Sequence, residues 1–365
     1  MTAALRLALL GYGFAGKTFH APLIRNTPGL ELDAVASSRP AAVLAELPAS
    51  RPFADFAQVL ADPAIDAVVI ATPNDTHAAI AEAALLAGKH VVVDKPFTLT
   101  LAQARRLGKL AEECGRVLSV FHNRRWDSDF LALQEVLGAG LIGRPTHVES
   151  RFDRFRPNVR ERWREKAESG GGVWFDLGPH LVDQALQLFG LPLRLGGSIA
   201  HLRDAAQADD WFQILLDYGR VQVTLSSSML VAGGIPRLAA HGTRGSWIKH
   251  GLDAQEDQLR AGMVPGEAGW GVDPQAAVLF SQETGVAGQP WAVPAGDYLR
   301  YYAGVRDAML GRGANPVTPA QAIATMAVLE TGVEAARCGR WLELPLVDSE
   351  RQAFGGARFA ELVAP

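Results

Sequence analysis

Residues 5–17 read Leu-Arg-Leu-Ala-Leu-Leu-Gly-Tyr-Gly-Phe-Ala-Gly-Lys, and this segment predicts the architecture of the first part of the chain. A short apolar run ends in Gly11-Tyr12-Gly13-Phe14-Ala15-Gly16, and a helix is predicted to follow. This is the strand, turn and helix context that a dinucleotide fingerprint requires. Gly11 permits the tight turn, Gly13 leaves room for a pyrophosphate, and Gly16 lets the helix pack close to the strand. The free N–H groups at the helix start would then face the phosphates. The alternative is an ordinary structural turn, which glycines also make.

Length and composition limit the classes of function. A chain of 365 residues exceeds one compact core and predicts two domains. Its net charge of -4 gives no electrostatic case for nucleic acid or an anionic membrane. No apolar stretch is long enough to span a bilayer, and the first strand begins too early to leave room for a signal peptide. The two cysteines, Cys114 and Cys338, have no metal-binding spacing, so we expect free thiols, no metal and a cytoplasmic location.

The first third of the chain alternates strands and helices. This rhythm predicts a doubly wound parallel sheet of the Rossmann type, with helices on both faces, over residues 1–122. The predicted strands are Leu5–Leu10, Leu30–Ala36, Ala67–Ala71, His90–Val93 and Val117–Phe121.

After residue 122 the pattern changes, and residues 123–365 are predicted to form a second, α+β domain. Alternating apolar and polar residues predict a mostly antiparallel sheet with one exposed face. An amphipathic helix is predicted at about 174–189, and two more at about 297–310 and 319–338. Residues 251–295 are rich in Gly, Pro and Ala and are predicted to be loops.

The end of the second strand bears on the choice of coenzyme. A carboxylate there usually holds the ribose 2′-hydroxyl, whereas a basic residue accommodates a 2′-phosphate. The sequence at this point is Ser37-Ser38-Arg39, and Asp33 lies inside the strand. The serines and Arg39 can bind phosphate oxygens, so NADP(H) is preferred and NAD(H) remains possible. The alternative for Arg39 is a solvated turn.

Two later turns of the sheet carry further candidates. The segment Thr72-Pro73-Asn74-Asp75-Thr76-His77 follows the third predicted strand, and Asp94-Lys95-Pro96 follows the fourth. Both would lie at the carboxyl ends of parallel strands, where open α/β sheets bind ligands. A lysine at the end of a buried strand is suited to proton transfer. The alternative is a surface lysine that pairs with Asp94.

A second constellation lies in Gly170-Gly171-Gly172-Val173-Trp174-Phe175-Asp176-Leu177-Gly178-Pro179-His180. Asp176 and His180 are four residues apart and therefore share one face of a helix. A histidine with a nearby carboxylate suits general acid–base work. A structural histidine at a domain interface is an equally good interpretation of the pair alone.

Together these motifs resemble the glucose-fructose oxidoreductase, inositol dehydrogenase and rhizopine catabolism (Gfo/Idh/MocA) family over nearly the whole chain. The family's Glu-Lys-Pro signature stands here as Asp94-Lys95-Pro96, and its Asp-x-x-x-His pair as Asp176 and His180. The opening glycine segment and Arg162-Trp163-Arg164-Glu165 are similar to NADP-dependent members of the scyllo-inositol dehydrogenase type.

The resemblance implies reversible oxidation of a secondary hydroxyl on a sugar or cyclitol. Lys95 would hydrogen-bond the reacting oxygen, His180 would relay the proton, and Asp176 would position the substrate or Lys95. A C-terminal sheet that forms a homo-oligomer, a dimer or tetramer, is also implied. The expected coenzyme-binding residues are Gly11, Gly13, Phe14, Ala15, Ser37, Ser38, Arg39, Thr72, Asn74, His77, Asp94, Lys95, Asn123, Trp163 and Arg164. Lys17 either faces the phosphates or simply follows the loop.

Three functions remain open at this point. The first is an NADP-dependent sugar or cyclitol dehydrogenase. The second is an oxidoreductase for another carbonyl or imine. The third is a different class, either a coenzyme-binding regulator or a glycoside hydrolase that uses the nucleotide transiently.

Overall fold

The structure is a computed structural model that describes residues 4–161, 165–166, 170–282 and 285–363. The chain divides into two compact units, and each is assembled from separated segments. The first unit comprises Met1–Trp126, Gln255–Trp270 and Asp297–Ile323. The second comprises Asp127–Ala254, Gly271–Gly296 and Ala324–Pro365. A domain boundary at residue 122 stays a prediction.

The first unit contains a six-stranded parallel sheet in the order β3-β2-β1-β4-β5-β6. Its strands are β1 (Leu5–Leu10), β2 (Leu30–Ala36), β3 (Arg51–Phe53), β4 (Ala67–Ile70), β5 (His90–Val93) and β6 (Leu118–Val120). The runs 7–10, 67–70 and 91–93 are fully buried, which explains why these strands are continuously apolar. The strand order reverses between β1 and β4, and ligands of open α/β sheets bind at the carboxyl ends beside such a point.

Helices follow the strands, as the alternation in the sequence predicts, but β3 and the short helix Phe56–Ala61 after it are not among the predicted elements. A π-helical turn, Gly16–His20, leads from the glycine motif into the first α-helix. Thr100 and Gln103 form a capping box at the start of the helix after β5. In chain order the α-helices are α1 (Ala21–Arg25), α2 (Pro40–Glu46), α3 (Phe56–Ala61), α4 (His77–Leu86), α5 (Leu101–Glu113), α6 (Ser128–Gly138), α7 (Val173–Phe189), α8 (Gln255–Arg260), α9 (Leu299–Met309), α10 (Pro319–Cys338) and α11 (Asp348–Phe354).

The second unit contains an eight-stranded sheet in the order β14-β13-β12-β11-β7-β10-β9-β8. Its strands are β7 (Pro145–Arg151), β8 (Arg194–Ala200), β9 (Trp211–Asp217), β10 (Gln222–Ser228), β11 (Leu238–Gly242), β12 (Gly245–Lys249), β13 (Ala277–Ser281) and β14 (Gln289–Trp291). The pair β7–β10 is parallel and the other neighbours are antiparallel.

One face of this second sheet packs against α7. Phe212, Ile214 and Leu216 alternate along β9 and are fully buried. The Trp174 ring of α7 meets the Phe212 ring edge-on, with centroids 4.7 Å apart. The predicted fold class, a Rossmann sheet with a second, mostly antiparallel sheet, is confirmed.

The prediction of loops throughout residues 251–295 is wrong, because α8, β13 and β14 lie there. Each is only three to six residues long, so none carries enough apolar periodicity to be detected. Among the described residues no helix combines the length and the apolar character needed to cross a membrane.

Candidate active site

The glycine motif after β1 has the geometry of a phosphate-binding turn. Gly11 has a φ of +99°, and a Cβ atom there would lie 2.5 Å from the Ala71 carbonyl oxygen. A Cβ on Gly16 would lie 2.2 Å from the Gly11 oxygen, whereas one on Gly13 would meet nothing within 4 Å. Two glycines are therefore required by the packing of the chain itself. Gly13 instead borders open space, which fits a pyrophosphate group, and Phe14 beside it is 51% exposed.

The tip of β2 carries hydroxyl and guanidinium groups. Ser37 is buried and accepts a hydrogen bond from the Arg39 N–H at 3.1 Å, while Ser38 and Arg39 are exposed. Asp33 is engaged elsewhere, because it pairs with Arg6 at 2.6 Å and with Arg51. Burial raises the pKa of Asp33, but the two guanidinium groups outweigh it and lower the pKa. Asp33 is therefore committed to a structural ion pair.

Glu46, at the end of α2, is a neighbour of the glycine motif that sequence reasoning missed. Its carboxylate accepts hydrogen bonds from Lys17 Nζ at 2.7 Å and from the Tyr12 hydroxyl at 3.1 Å. Burial and the Glu46 contact raise the pKa of Tyr12 to about 12, so this hydroxyl keeps its proton. Lys17 is thus held beside the glycine turn by a counter-ion from another element.

Asp94 and Lys95 follow β5 directly. The Asp94 carboxylate is buried and accepts the Lys95 backbone N–H at 2.8 Å, and Lys95 is half-buried. Burial raises the pKa of Asp94, but His20 together with the charges of Lys95 and His77 lowers it to about 2. Asp94 is therefore ionised at neutral pH.

His77 links the turns after β4 and β5. Its Nδ1 lies 2.8 Å from the Pro96 oxygen and its Nε2 lies 3.0 Å from the Thr72 oxygen. Burial lowers the pKa of this imidazole, although Asp94 and the two carbonyl groups oppose the effect. Asn74 and Asn123 are buried in short helical turns of the same unit. The role of these residues in coenzyme binding stays a prediction.

In the second unit, Asp176 and His180 lie on α7, one helical turn apart. His180 is 6% exposed and Asp176 is half-buried. Trp163 and Arg164 lie outside the described residues. Their neighbour Glu165 is buried and pairs with Arg203 at 2.6 Å.

Asp209 caps the helix that carries this pair, and no local motif in the sequence indicates that role. Its carboxylate accepts the Trp174 N–H at 2.7 Å, and its backbone oxygen accepts the Val173 N–H at 2.9 Å. Gly172 has a φ of +92°, and a Cβ there would lie 2.0 Å from Asp209 Oδ1. The last glycine before α7 therefore makes room for this carboxylate. No cluster of three or more metal-ligating side chains occurs in the part of the chain that the structure describes.

Comparison with known proteins agrees with this geometry. Residues 5–122 match the oxidoreductase family with an NAD-binding Rossmann fold, and residues 134–344 match its C-terminal α/β domain. The chain belongs to the Gfo/Idh/MocA oxidoreductase family. It is 50% identical to the uncharacterized oxidoreductase YdgJ of Escherichia coli over 92% of this chain and 98% of that protein. It is 34% identical to the scyllo-inositol 2-dehydrogenase (NADP(+)) IolW of Bacillus subtilis over 93% and 96%.

A solved structure extends the comparison to three dimensions. An oxidoreductase from Bacillus cereus has a TM-score of 0.85 at 30% identity, covering 94% of this chain and 99% of that one. The chain is therefore an NAD(P)-binding oxidoreductase, and its prediction as a dehydrogenase or reductase is confirmed.

Proposed function

We propose that this enzyme interconverts a secondary hydroxyl and a ketone on a sugar or cyclitol, with NADP(H) as the preferred coenzyme. The main support for the proposal is the position of Lys95. This lysine follows the parallel strand β5, of which residues 91–93 are fully buried, and it stands next to an ionised Asp94 at the carboxyl edge of the sheet that also bears the glycine turn. Similarity to IolW, which acts on scyllo-inositol, supports a cyclitol or related polyol as substrate.

NADP(H) is preferred because of the tip of β2. Ser38 and Arg39 are exposed there, and the nearest carboxylate of the strand, Asp33, is bound by two arginines. An exposed guanidinium suits a 2′-phosphate, and Asp33 is engaged away from a ribose hydroxyl. The NADP(+) dependence in the name of IolW points the same way. NAD(H) remains a possible second coenzyme.

In the proposed reaction, side chains of the protein transfer the proton. When bound, the nicotinamide supplies or accepts the hydride. Lys95 hydrogen-bonds the reacting oxygen and exchanges a proton with it, and Asp94 keeps the Lys95 backbone in place through the 2.8 Å N–H contact. The resemblance implies that His180 relays the proton and that Asp176 has a positioning role, and both stay predictions.

A substrate panel tests the proposal directly. The purified chain is incubated with scyllo-inositol, other inositol isomers, aldoses or aldonolactones, with NADP⁺ and NAD⁺ in parallel, and reduced nicotinamide is followed by absorbance. We expect reduction of NADP⁺ with at least one cyclitol or sugar. Release of a glycosyl group without net coenzyme change would instead indicate a hydrolase. Carbonyl compounds are tested with NADPH and NADH, and coenzyme binding without turnover in either direction would indicate a regulator.

The Lys95→Ala variant tests the residue on which the proposal depends. Loss of a placed proton-transfer group should lower kcat by about 10²–10⁴-fold and leave the Kd for NADPH nearly unchanged. Lys109→Ala is the matched control, because Lys109 is an exposed lysine of α5 in the same unit. A Lys95→Ala kcat within a few-fold of wild type would reject the role of Lys95.

The proposal also covers the oligomeric state of the protein and its location in the cell. We expect a dimer or tetramer formed through the second sheet, and light scattering of the purified chain measures this directly. Cys114 and Cys338 are both free thiols, which suits the reducing cytoplasm.

A further inference from the structure

The loop between β8 and β9, residues 201–210, contains a buried guanidinium that the proposed reaction does not use. The Arg203 side chain is 2% exposed and that of its partner Asp210 is 1% exposed. The Asp210 carboxylate accepts hydrogen bonds from Arg203 Nε at 2.9 Å and from the Arg203 backbone N–H at 3.0 Å. It also accepts the Leu202 N–H at 2.7 Å. Asp210 therefore fixes both the backbone and the side chain of Arg203.

The other nitrogens of this guanidinium reach a second part of the chain, the segment 156–165. Arg203 Nη2 donates to the Glu165 carboxylate at 2.6 Å, and the Glu165 side chain is 9% exposed. Arg203 Nη1 donates to the Arg156 oxygen at 3.2 Å and lies 3.5 Å from the Asn158 oxygen. These acceptors stand at the beginning and at the end of the segment. One side chain therefore holds both ends of the same stretch.

The beginning of the segment has a fixed place beside β10 and the residue that follows it. The Arg154 N–H donates to the Ser228 oxygen at 2.8 Å, and the Arg156 N–H donates to the Met229 oxygen at 2.7 Å. The Met229 N–H in turn donates to the backbone oxygen of Asp210 at 3.0 Å. Arg203 therefore connects Glu165 to a part of the second sheet that backbone hydrogen bonds already hold in place.

A buried ion pair of this kind is better suited to fixing geometry than to adding stability. Both charges lose their hydration on burial, and replacement of such a pair by apolar side chains is often neutral or stabilising. A guanidinium presents its N–H groups in a rigid planar fork, however, and so fixes the direction of each acceptor. The contacts of Arg203 are therefore suited to holding the segment in one position.

We propose that Arg203 is a positioning residue that anchors Glu165 and thereby keeps this segment in the position that coenzyme binding requires. Trp163 and Arg164 directly precede Glu165 in the sequence and are predicted to bind the coenzyme, so this role rests on the proposed function. Without the anchor, the segment would be in the binding position for only part of the time. The apparent Kd for the coenzyme would then rise in inverse proportion to that fraction.

The first test measures the anchor itself and needs neither coenzyme nor substrate. Glu165→Ala removes one end of the anchor but leaves Arg203 paired with Asp210, so the buried cation keeps a counter-ion. Trypsin cleavage of the folded full chain, read by mass spectrometry, measures how often the segment opens at the exposed Arg160 and Lys166. The rate at these sites should rise by about tenfold or more.

The second test measures whether the anchor contributes to coenzyme binding. In Glu165→Ala the Kd for NADPH, from fluorescence titration, should rise by about 3–10-fold. The KM for NADP⁺ with scyllo-inositol should rise by the same factor. At saturating NADP⁺ the bound coenzyme holds the segment in place, so kcat should stay within about twofold of wild type. A general loss of structure would lower kcat as well.

Three further variants separate positioning from general effects. Glu161→Ala changes an exposed glutamate of the same segment, and this matched control should behave like wild type. Glu165→Gln keeps an oxygen that can accept the Arg203 N–H, so it should also stay close to wild type. Arg203→Lys lacks the planar fork and should resemble Glu165→Ala. The two changes combined should be no worse than either alone, because both break the same contact.

Several results would overturn the proposal. Equal cleavage rates in wild type and Glu165→Ala would show that Arg203 does not anchor the segment. Faster cleavage with an unchanged Kd for NADPH would show that the anchor has no part in coenzyme binding. Glu165→Gln as impaired as Glu165→Ala would contradict the contact on which the proposal depends. If the wild type oxidises no polyol, the proposed function fails, whereas the cleavage rates and the Kd for NADPH still decide the role of Arg203.

Discussion

Asn in place of Asp209 should stabilise the second unit at neutral pH. The Trp174 N–H donates to the Asp209 carboxylate at 2.7 Å. The substitution keeps a side-chain oxygen that can accept this N–H, and it removes a negative charge from the start of α7. Burial raises the pKa of Asp209 from 3.8 to about 6, although the Trp174 N–H opposes the effect. Two pKa units correspond to about 3 kcal/mol, and partial exposure of the side chain reduces this to about 1–2 kcal/mol.

The pH dependence has a definite sign. Because the folded-state pKa of Asp209 lies above the unfolded value of 3.8, the stabilisation from proton binding is complete below about pH 4 and lost as pH rises through about 6. Asp209→Asn should therefore raise Tm at pH 7.5 by about 2–6 °C and leave it nearly unchanged at pH 4, measured by scanning calorimetry. Asp204→Asn, an exposed position of the same connection, is the control. An equal Tm difference at both pH values would contradict the role assigned to the buried carboxyl.

Three further predictions concern the coenzyme site. Arg39→Ala should raise KM for NADPH by about 10–100-fold and change KM for NADH little, because one charge-assisted contact with phosphate is lost. Steady-state kinetics with both coenzymes measure this difference, and Arg260→Ala is the control. Gly11→Ala should lower Tm, because its Cβ would lie 2.5 Å from a carbonyl oxygen. Gly13→Ala should leave Tm unchanged and weaken NADPH binding, because a Cβ there meets nothing within 4 Å. Calorimetry measures Tm, and fluorescence titration measures the Kd for NADPH. Glu46→Gln should lower the Kd for NADPH by about 2–5-fold, since it frees Lys17, and a higher Kd would contradict that assignment.

The parts of the fold that could be predicted from the sequence depend on strong, local patterns. β1, β4 and β5 are buried on both faces, so their apolar runs are unmistakable, and the glycine turn predicts a helix directly after β1. β8 does not stand out in the sequence, because Gly196 and Gly197 interrupt its pattern. Gly197 is needed there, since a Cβ would lie 2.1 Å from the Gln213 oxygen of the neighbouring strand.

In the candidate site, too, some residues stand in local sequence motifs and others do not. Gly11, Asp94, Lys95 and the Asp176–His180 pair stand in motifs whose spacing already indicates their chemistry. The supporting residues stand alone in sequence and acquire a role only through tertiary contact. Asp209 is 35 residues from the Trp174 N–H that it accepts, and Glu46 is 29 residues from Lys17. No local period or spacing relates such partners, so only the folded chain reveals them.

The decisive measurement for the role of Lys95 is a crystal structure of the complex with NADPH. We predict that the Lys95 ammonium lies beside the nicotinamide ring, at the place that a substrate oxygen would occupy, while the pyrophosphate rests on the Gly11–Gly16 turn. A Lys95 side chain pointing into bulk solvent, remote from the ring, would contradict the proposed chemistry.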